Sequence, residues 1–245
     1  MKTKTQKQLI VVSIISFVVT VFLLTSTIFA WVSLSRQAGS SFISNLTDIS
    51  SDFEFYIYRD SDFNGSGNKL ITDECVAIDD ENCFENIPNP KVSQIITPEM
   101  KPSDRISFAL KIINKSSMPI DIRLSFGGIS STGYNEDYNK IQRAFMYEVT
   151  AIRYLNGGIE GDDIKSSANI INAHFESHEV SHYVLLNNFE LSKNGTLNDR
   201  AVIYFDLYFD ENIFGLNDLL ESTGNSNVFM NQTLVVNNFY IELDV

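Results

Sequence analysis

The stretch Met100–Phe126 constrains this chain more than any other. Ile106, Phe108, Leu110 and Ile112 alternate with Arg105, Ser107, Ala109 and Lys111. After a break, Ile120, Ile122, Leu124 and Phe126 alternate with Asp121, Arg123 and Ser125. A side-chain period of two is incompatible with a helix and marks a half-buried strand. Between the two runs sits Asn114-Lys115-Ser116-Ser117. Asn and Ser close turns by bonding nearby backbone, and Pro119 restricts entry into the second run. The expectation is two antiparallel strands, each with one buried and one wet face, as in sandwich sheets.

The same period recurs along the chain. Phe53–Arg59, Phe145–Tyr154, Tyr183–Leu191, Asp199–Asp210 and Gln232–Val245 all read as strands, with turns at Asn156-Gly157-Gly158 and Asn194-Gly195. Asp199–Asp210 carries Ala201, Ile203, Phe205, Leu207 and Phe209 on one face and Val202, Tyr204 and Tyr208 on the other. A strand apolar on both faces belongs in the middle of a sheet or beneath a loop. All five prolines lie between residues 88 and 119. They predict an extended surface connection over Ile87–Pro102, with Val92–Ile96 as a short edge strand. Gly127–Lys140 reads as a loop, Asn139–Ala144 as a helical turn, and Ile164–Ile171 and Phe214–Ser222 as short helices. Nine or ten strands at sandwich spacing without a βαβ rhythm predict an all-β, jelly-roll-like antiparallel β-sandwich with a few short helices. The domain is placed at residues 52–245.

A different signal occupies residues 1–30. Lys2, Lys4 and Lys7 precede an almost unbroken apolar run, Leu9–Ala30, of 22 residues. That length suits either a cleaved export signal or a retained membrane anchor, and the lysines hold the N-terminus inside while the rest is sent out. Three of the 18 basic residues lie in this leader and none of the 31 acidic ones does, so the remainder holds 15 against 31, a formal charge of −16. Such a balance argues against a nucleic-acid partner, because phosphate binding needs a basic surface. It suits an exported protein lying outside an anionic envelope. Residues 31–51, rich in Ser, Asn and Gly, read as a linker, a first edge strand, or a strand donated to a neighbouring subunit. The chain is expected to end on a strand, so attachment to the envelope is expected through the N-terminal segment or through assembly.

Two places carry a family resemblance. Lys101-Pro102-Ser103-Asp104, the strand Ile106–Ile113 and the turn Asn114-Lys115-Ser116 resemble a turn–strand–turn pattern of the TasA/camelysin family, with Ser103 and Ser116 standing where that family usually has Gly. Ala30-Trp31, directly after the apolar run, resembles the family's export junction, with Val32 in place of its usual Phe. The resemblance implies a secreted bacterial surface protein of the biofilm-matrix fibre kind. It implies processing by a dedicated signal peptidase, and polymerisation by donating an N-terminal strand, here Trp31–Ile49, into the next subunit's sheet. Some camelysin relatives are described as metallopeptidases, which bears on the histidines.

His174, His178 and His182 are the only histidines and stand four residues apart. On a helix or a strand that spacing puts them on one face, where they could gather a transition metal or simply line a wet surface. Glu176 sits midway between two of them, out of place for the general base of a zinc-peptidase helix. Asp60, Asp62 and Asn64, followed by Gly65, open like a calcium loop. Position twelve, however, is Ile71 where a bidentate Glu is needed, so calcium and an ordinary turn both remain open. Cys75 and Cys83 flank an acidic loop and read as a local disulfide or as two free thiols. No nucleophile–base pair, phosphate loop or catalytic carboxylate pair stands out, and no cofactor beyond calcium is suggested. The expected function is non-enzymatic: an exported surface subunit assembling into fibres. The alternatives are a monomeric, membrane-anchored binding domain stabilised by calcium and, further off, a metal-dependent peptidase.

Overall fold

The computed structural model describes residues 51–58, 84–87, 100–178 and 180–243, together with the backbone of 43–46 and 244. These form an antiparallel β-sandwich of two sheets. The five-stranded sheet runs β1 (Ile43–Leu46), β12 (Thr233–Asp244), β5 (Ile120–Thr132), β10 (Tyr183–Leu191), β8 (Asn169–Ile170). The other runs β3 (Phe84–Asn86), β2 (Ser51–Tyr58), β4 (Arg105–Asn114), β11 (Arg200–Phe209), β6 (Phe145–Asn156), β7 (Ile159–Asp163), with β9 (Ala173–His174) also pairing β6. Among the described residues no helix is long and apolar enough to cross a membrane.

The two runs of Met100–Phe126 are both strands, but they do not pair with each other. β4 lies in the seven-stranded sheet and β5 in the five-stranded one, so residues 115–119 carry the chain across the sandwich. Their apolar faces meet in the core, where Phe108, Leu110, Ile122, Leu124 and Phe126 are all buried. β5 alternates as expected over Ile120–Leu124 and then continues to Thr132, through residues expected to be loop. β4 departs from the expected wet face: Ser107 and Ala109 are buried as well. Phe205 holds the centre of the core. Its ring meets Phe55, Phe108, Phe126 and Phe239 at centroid distances of 6.0, 5.3, 5.9 and 5.0 Å. Aromatic pairs at such spacings add to what their buried area already contributes.

β11, apolar on both faces, sits between β4 and β6, antiparallel to both, with an unbroken register to β4 and a shift between Tyr204 and Phe205 in its register to β6. Its second face joins a separate buried cluster outside the sandwich core: Tyr56, Tyr58, Phe84, Ala109, Ala151, Leu155, Val202 and Tyr204.

The expected helices are reduced to single 3-10 turns. Asp137–Asn139 and Ile141–Ala144 replace the helical turn at 139–144, and Lys165–Ser167 followed by β8 replaces the helix at 164–171. Phe214–Ser222 is not helical. It forms a loop closed by a bridge between Leu216 and Ser222. Asn217 Oδ1 accepts the backbone N–H groups of Leu219 and Glu221, both at 2.9 Å. An Asn side chain that caps its own neighbours competes directly with a helix. The leader with Ala30 and Trp31, the Asp60–Asn64 loop, Cys75, Cys83 and Val92–Ile96 lie outside the described residues.

Candidate functional site

The five-stranded sheet ends in an unusual edge. β12 pairs antiparallel with β5 along nearly its whole length, from Thr233↔Thr132 to Asp244↔Asp121. Among the described residues its other side pairs with β1, which runs parallel to it with Ile43 opposite Phe239 and Leu46 opposite Ile241. This is the one parallel pairing in either sheet among the described residues, and its register shifts within four residues. Phe239, Ile241 and Leu243 point into the core from this strand and are buried. Among the described residues, this edge therefore joins a twelve-residue strand to a four-residue one. β1 falls inside the segment expected to donate a strand. In this structure it occupies the chain's own sheet, as the edge-strand reading of residues 31–51 expects.

At the ends of β4, two turns explain the residues that carry the resemblance. Ser103 has φ 78°. This left-handed conformation costs a non-glycine residue and favours Gly. Asp104 is buried, accepts a hydrogen bond from the Lys101 backbone N–H at 2.8 Å, and has its pKa raised, chiefly by burial. The turn is tied to the end of β11 by Ser103 N–H donating to Phe209 O and Phe209 N–H donating to Asp104 O, both at 2.8 Å. At the other end Asn114 is wholly buried. Its Nδ2 donates to Met118 O at 2.9 Å and Ser192 O at 2.8 Å, and its Oδ1 accepts from Ser116 N–H at 2.7 Å. Asn114 thus pins the crossing between sheets to the β10–β11 loop.

The three histidines do not share a face. His174 lies in β9, with Nε2 2.9 Å from Asp210 Oδ2. Asp210 also accepts from the Asn212 backbone and side chain, and its pKa is lowered: burial acts against the charge, but these hydrogen bonds and His174 outweigh it. His178 is exposed in a bend, 4.0 Å from Glu176. The ring of His182 packs on Tyr240, 4.7 Å between centroids. Among the described residues no group of three or more His, Cys, Asp or Glu side chains is arranged to hold a metal.

Sequence reasoning missed an ionic cluster on the outer face of the seven-stranded sheet. Asp206 is 1% exposed, directly opposite Ser107 on one side and Glu148 on the other. Arg105 Nη1 lies 3.3 Å from Asp206 and 3.6 Å from Glu148, and its guanidinium stands 4.9 Å over the Tyr208 ring. Burial pushes the Asp206 carboxyl up to about 6, against the opposing pull of Ser107 and Arg105. The signal was present: one acid set among Tyr204, Phe205, Leu207 and Tyr208. Nearby, Glu160 accepts from the Tyr204 hydroxyl and pairs with Arg153 at 3.2 Å.

Fold and edge together define a class: an all-β sandwich with one strand edge closed by a short parallel segment. No protein-family model matches the sequence, and no curated protein matches it.

Proposed function

We propose that this protein is an exported, cell-surface structural subunit that self-associates into fibres by strand addition at the β12 edge. The observation that carries the reading is β1, a four-residue parallel strand on a twelve-residue edge. Only four residues, 47–50, separate it from β2 in the other sheet. Strand exchange replaces an intramolecular edge strand with the same strand of a neighbour, so main-chain bonds supply affinity and the buried pattern supplies register. The leader, the Ala30-Trp31 junction and the two turns flanking β4 resemble the TasA/camelysin pattern and support the same reading. On it, the protein crosses the membrane by its N-terminal segment, is cut by a signal peptidase, and needs neither a catalytic centre nor nucleic acid.

A second reading follows from the same strand. If β1 stays in its own sheet, the edge is closed and the protein is a monomeric surface domain. Negative-stain microscopy and sedimentation of the exported protein, wild type and Leu46→Pro, separate the two. Proline removes a ladder donor. Fibres lost in Leu46→Pro support strand donation; monomers in both forms favour the closed domain.

A further inference from the structure

We infer that a second copy of this chain docks end to end on the first, the loop tips at one end of the sandwich seating against those at the other. The inference rests on the reading of the protein as a self-associating subunit and adds a contact separate from β1. Eight large hydrophobic side chains are exposed among the described residues, and seven lie at the two ends of the sandwich rather than on its flanks. At one end the β4–β5 connection, the first residue of β7 and the β10–β11 connection present Met118, Ile159 and Leu197, exposed by 52%, 76% and 76%. These tips are tied together: Asn194 N–H donates to Ser116 O at 2.9 Å, and Asn198 N–H donates to Asn156 Oδ1 at 3.2 Å. At the opposite end the 133–144 and 210–232 loops present Tyr134, Phe214, Leu219 and Leu220. They are also braced. The Tyr138 hydroxyl donates to Asp218 at 2.6 Å, and Asn139 exchanges hydrogen bonds with the Leu216 backbone at 2.8 and 3.0 Å. Leu220 is held in the left-handed region at φ 60° while remaining 62% exposed. A large apolar side chain held that way in water gains nothing for its own fold.

Charge chooses the partner. The first end's connections, residues 115–119, 157–158 and 192–199, contain Lys115 and Lys193 and a single acid, Asp199, which is buried and paired with Arg200 at 2.8 Å. Lys115 is paired with the exposed Asp52 at 3.2 Å. The loops at the other end contain six acids, Glu136, Asp137, Asp210, Glu211, Asp218 and Glu221, against Lys140 and Arg143. In a chain of formal charge −13, this end, whose loop acid is buried and paired with an arginine, meets the acidic end more favourably than two acidic ends meet each other. Unlike ends that attract make a heterologous contact, which propagates as an open chain rather than closing as a dimer.

The test uses the full exported chain in two double variants at exposed positions, Met118→Asp with Leu197→Asp, and Leu219→Asp with Leu220→Asp. Sedimentation should show assembly weakened at least tenfold in each variant alone. An equimolar mixture should form a one-to-one heterodimer through the intact end of each partner. Wild-type assembly by both variants, or a mixture that yields no heterodimer, overturns the inference. Leu46→Pro separates it from strand donation. If that variant assembles normally while the end variants do not, the strand reading fails and the end contact stands; the reverse pattern leaves only the strand.

Discussion

The two sheets treat their outer faces in opposite ways. On the five-stranded sheet Asp121 and Arg123 stand in water, and Arg123 pairs with Glu242 at 3.5 Å with both side chains nearly half exposed. On the seven-stranded sheet the outer face is largely sealed: Ala109, Val202 and Tyr204 form part of a second apolar cluster, and beside them Arg105 holds Asp206 at 1% exposure. The same arginine–carboxylate chemistry therefore sits in two dielectrics. In water it contributes little, because solvent screens it and ordering the side chains costs entropy. Under cover, burial overrides the arginine's pull and raises the carboxyl's hold on its proton. The wet sheet carries the edge from which exchange with another copy is proposed.

The comparison breaks first at the core both sheets share. Phe205→Ala removes the ring that contacts aromatic side chains from both sheets, and chemical denaturation should show a loss of about 3–5 kcal/mol. A loss below about 1 kcal/mol would mean that the sheets do not depend on this contact.

The sealed face predicts a pH signature. Asp206 has its pKa raised from 3.8 to about 6, so the folded state holds this proton more tightly than the unfolded chain does. Its contribution is fullest below pH 4 and is lost as pH rises to about 6, a decline on the order of 3 kcal/mol. Asp206→Asn keeps an acceptor for Arg105 and Ser107 but cannot ionise. The difference in stability between variant and wild type should therefore grow in the variant's favour from pH 4 to pH 7. A difference that stays constant with pH would place the carboxyl in water.

The remaining effects are smaller. Ser103→Gly relieves a positive φ and should raise stability by roughly 1 kcal/mol in thermal unfolding, while an unchanged midpoint would show the turn to be unstrained. Arg123→Ala on the wet face should change stability by less than about 0.5 kcal/mol, and a larger loss would erase the contrast between the faces.

These contrasts also show what could be read from residues alone. The inner faces were legible, because Ile120, Ile122 and Leu124 alternate with Asp121 and Arg123 under a simple burial rule. The mid-sheet place of β11 was legible from its two apolar faces. The partners were not. Met100–Phe126 reads as a strand pair, but the crossing between sheets depends on Asn114 reaching Ser192, 78 residues away. The helix expected at 214–222 had suitable spacing, yet Asn217 captures its neighbours' N–H groups locally. Three histidines at equal spacing imply a shared face only if one element carries them, and here a strand end, a bend and a strand approach divide them. The Asp206 cluster is assembled from β4, β6 and β11, so no local window contains it.

Whether β1 of one molecule reaches β12 of another is the most direct question. Two versions of the protein, both carrying Cys75→Ser and Cys83→Ser, would be mixed after export: one bearing Asn45→Cys, the other Tyr240→Cys. Strand addition predicts a disulfide-linked dimer of unlike copies after mild oxidation, lost when Leu46→Pro is added to the first. Single chains throughout, with a cross-link forming only when both cysteines are placed in one copy, would contradict it.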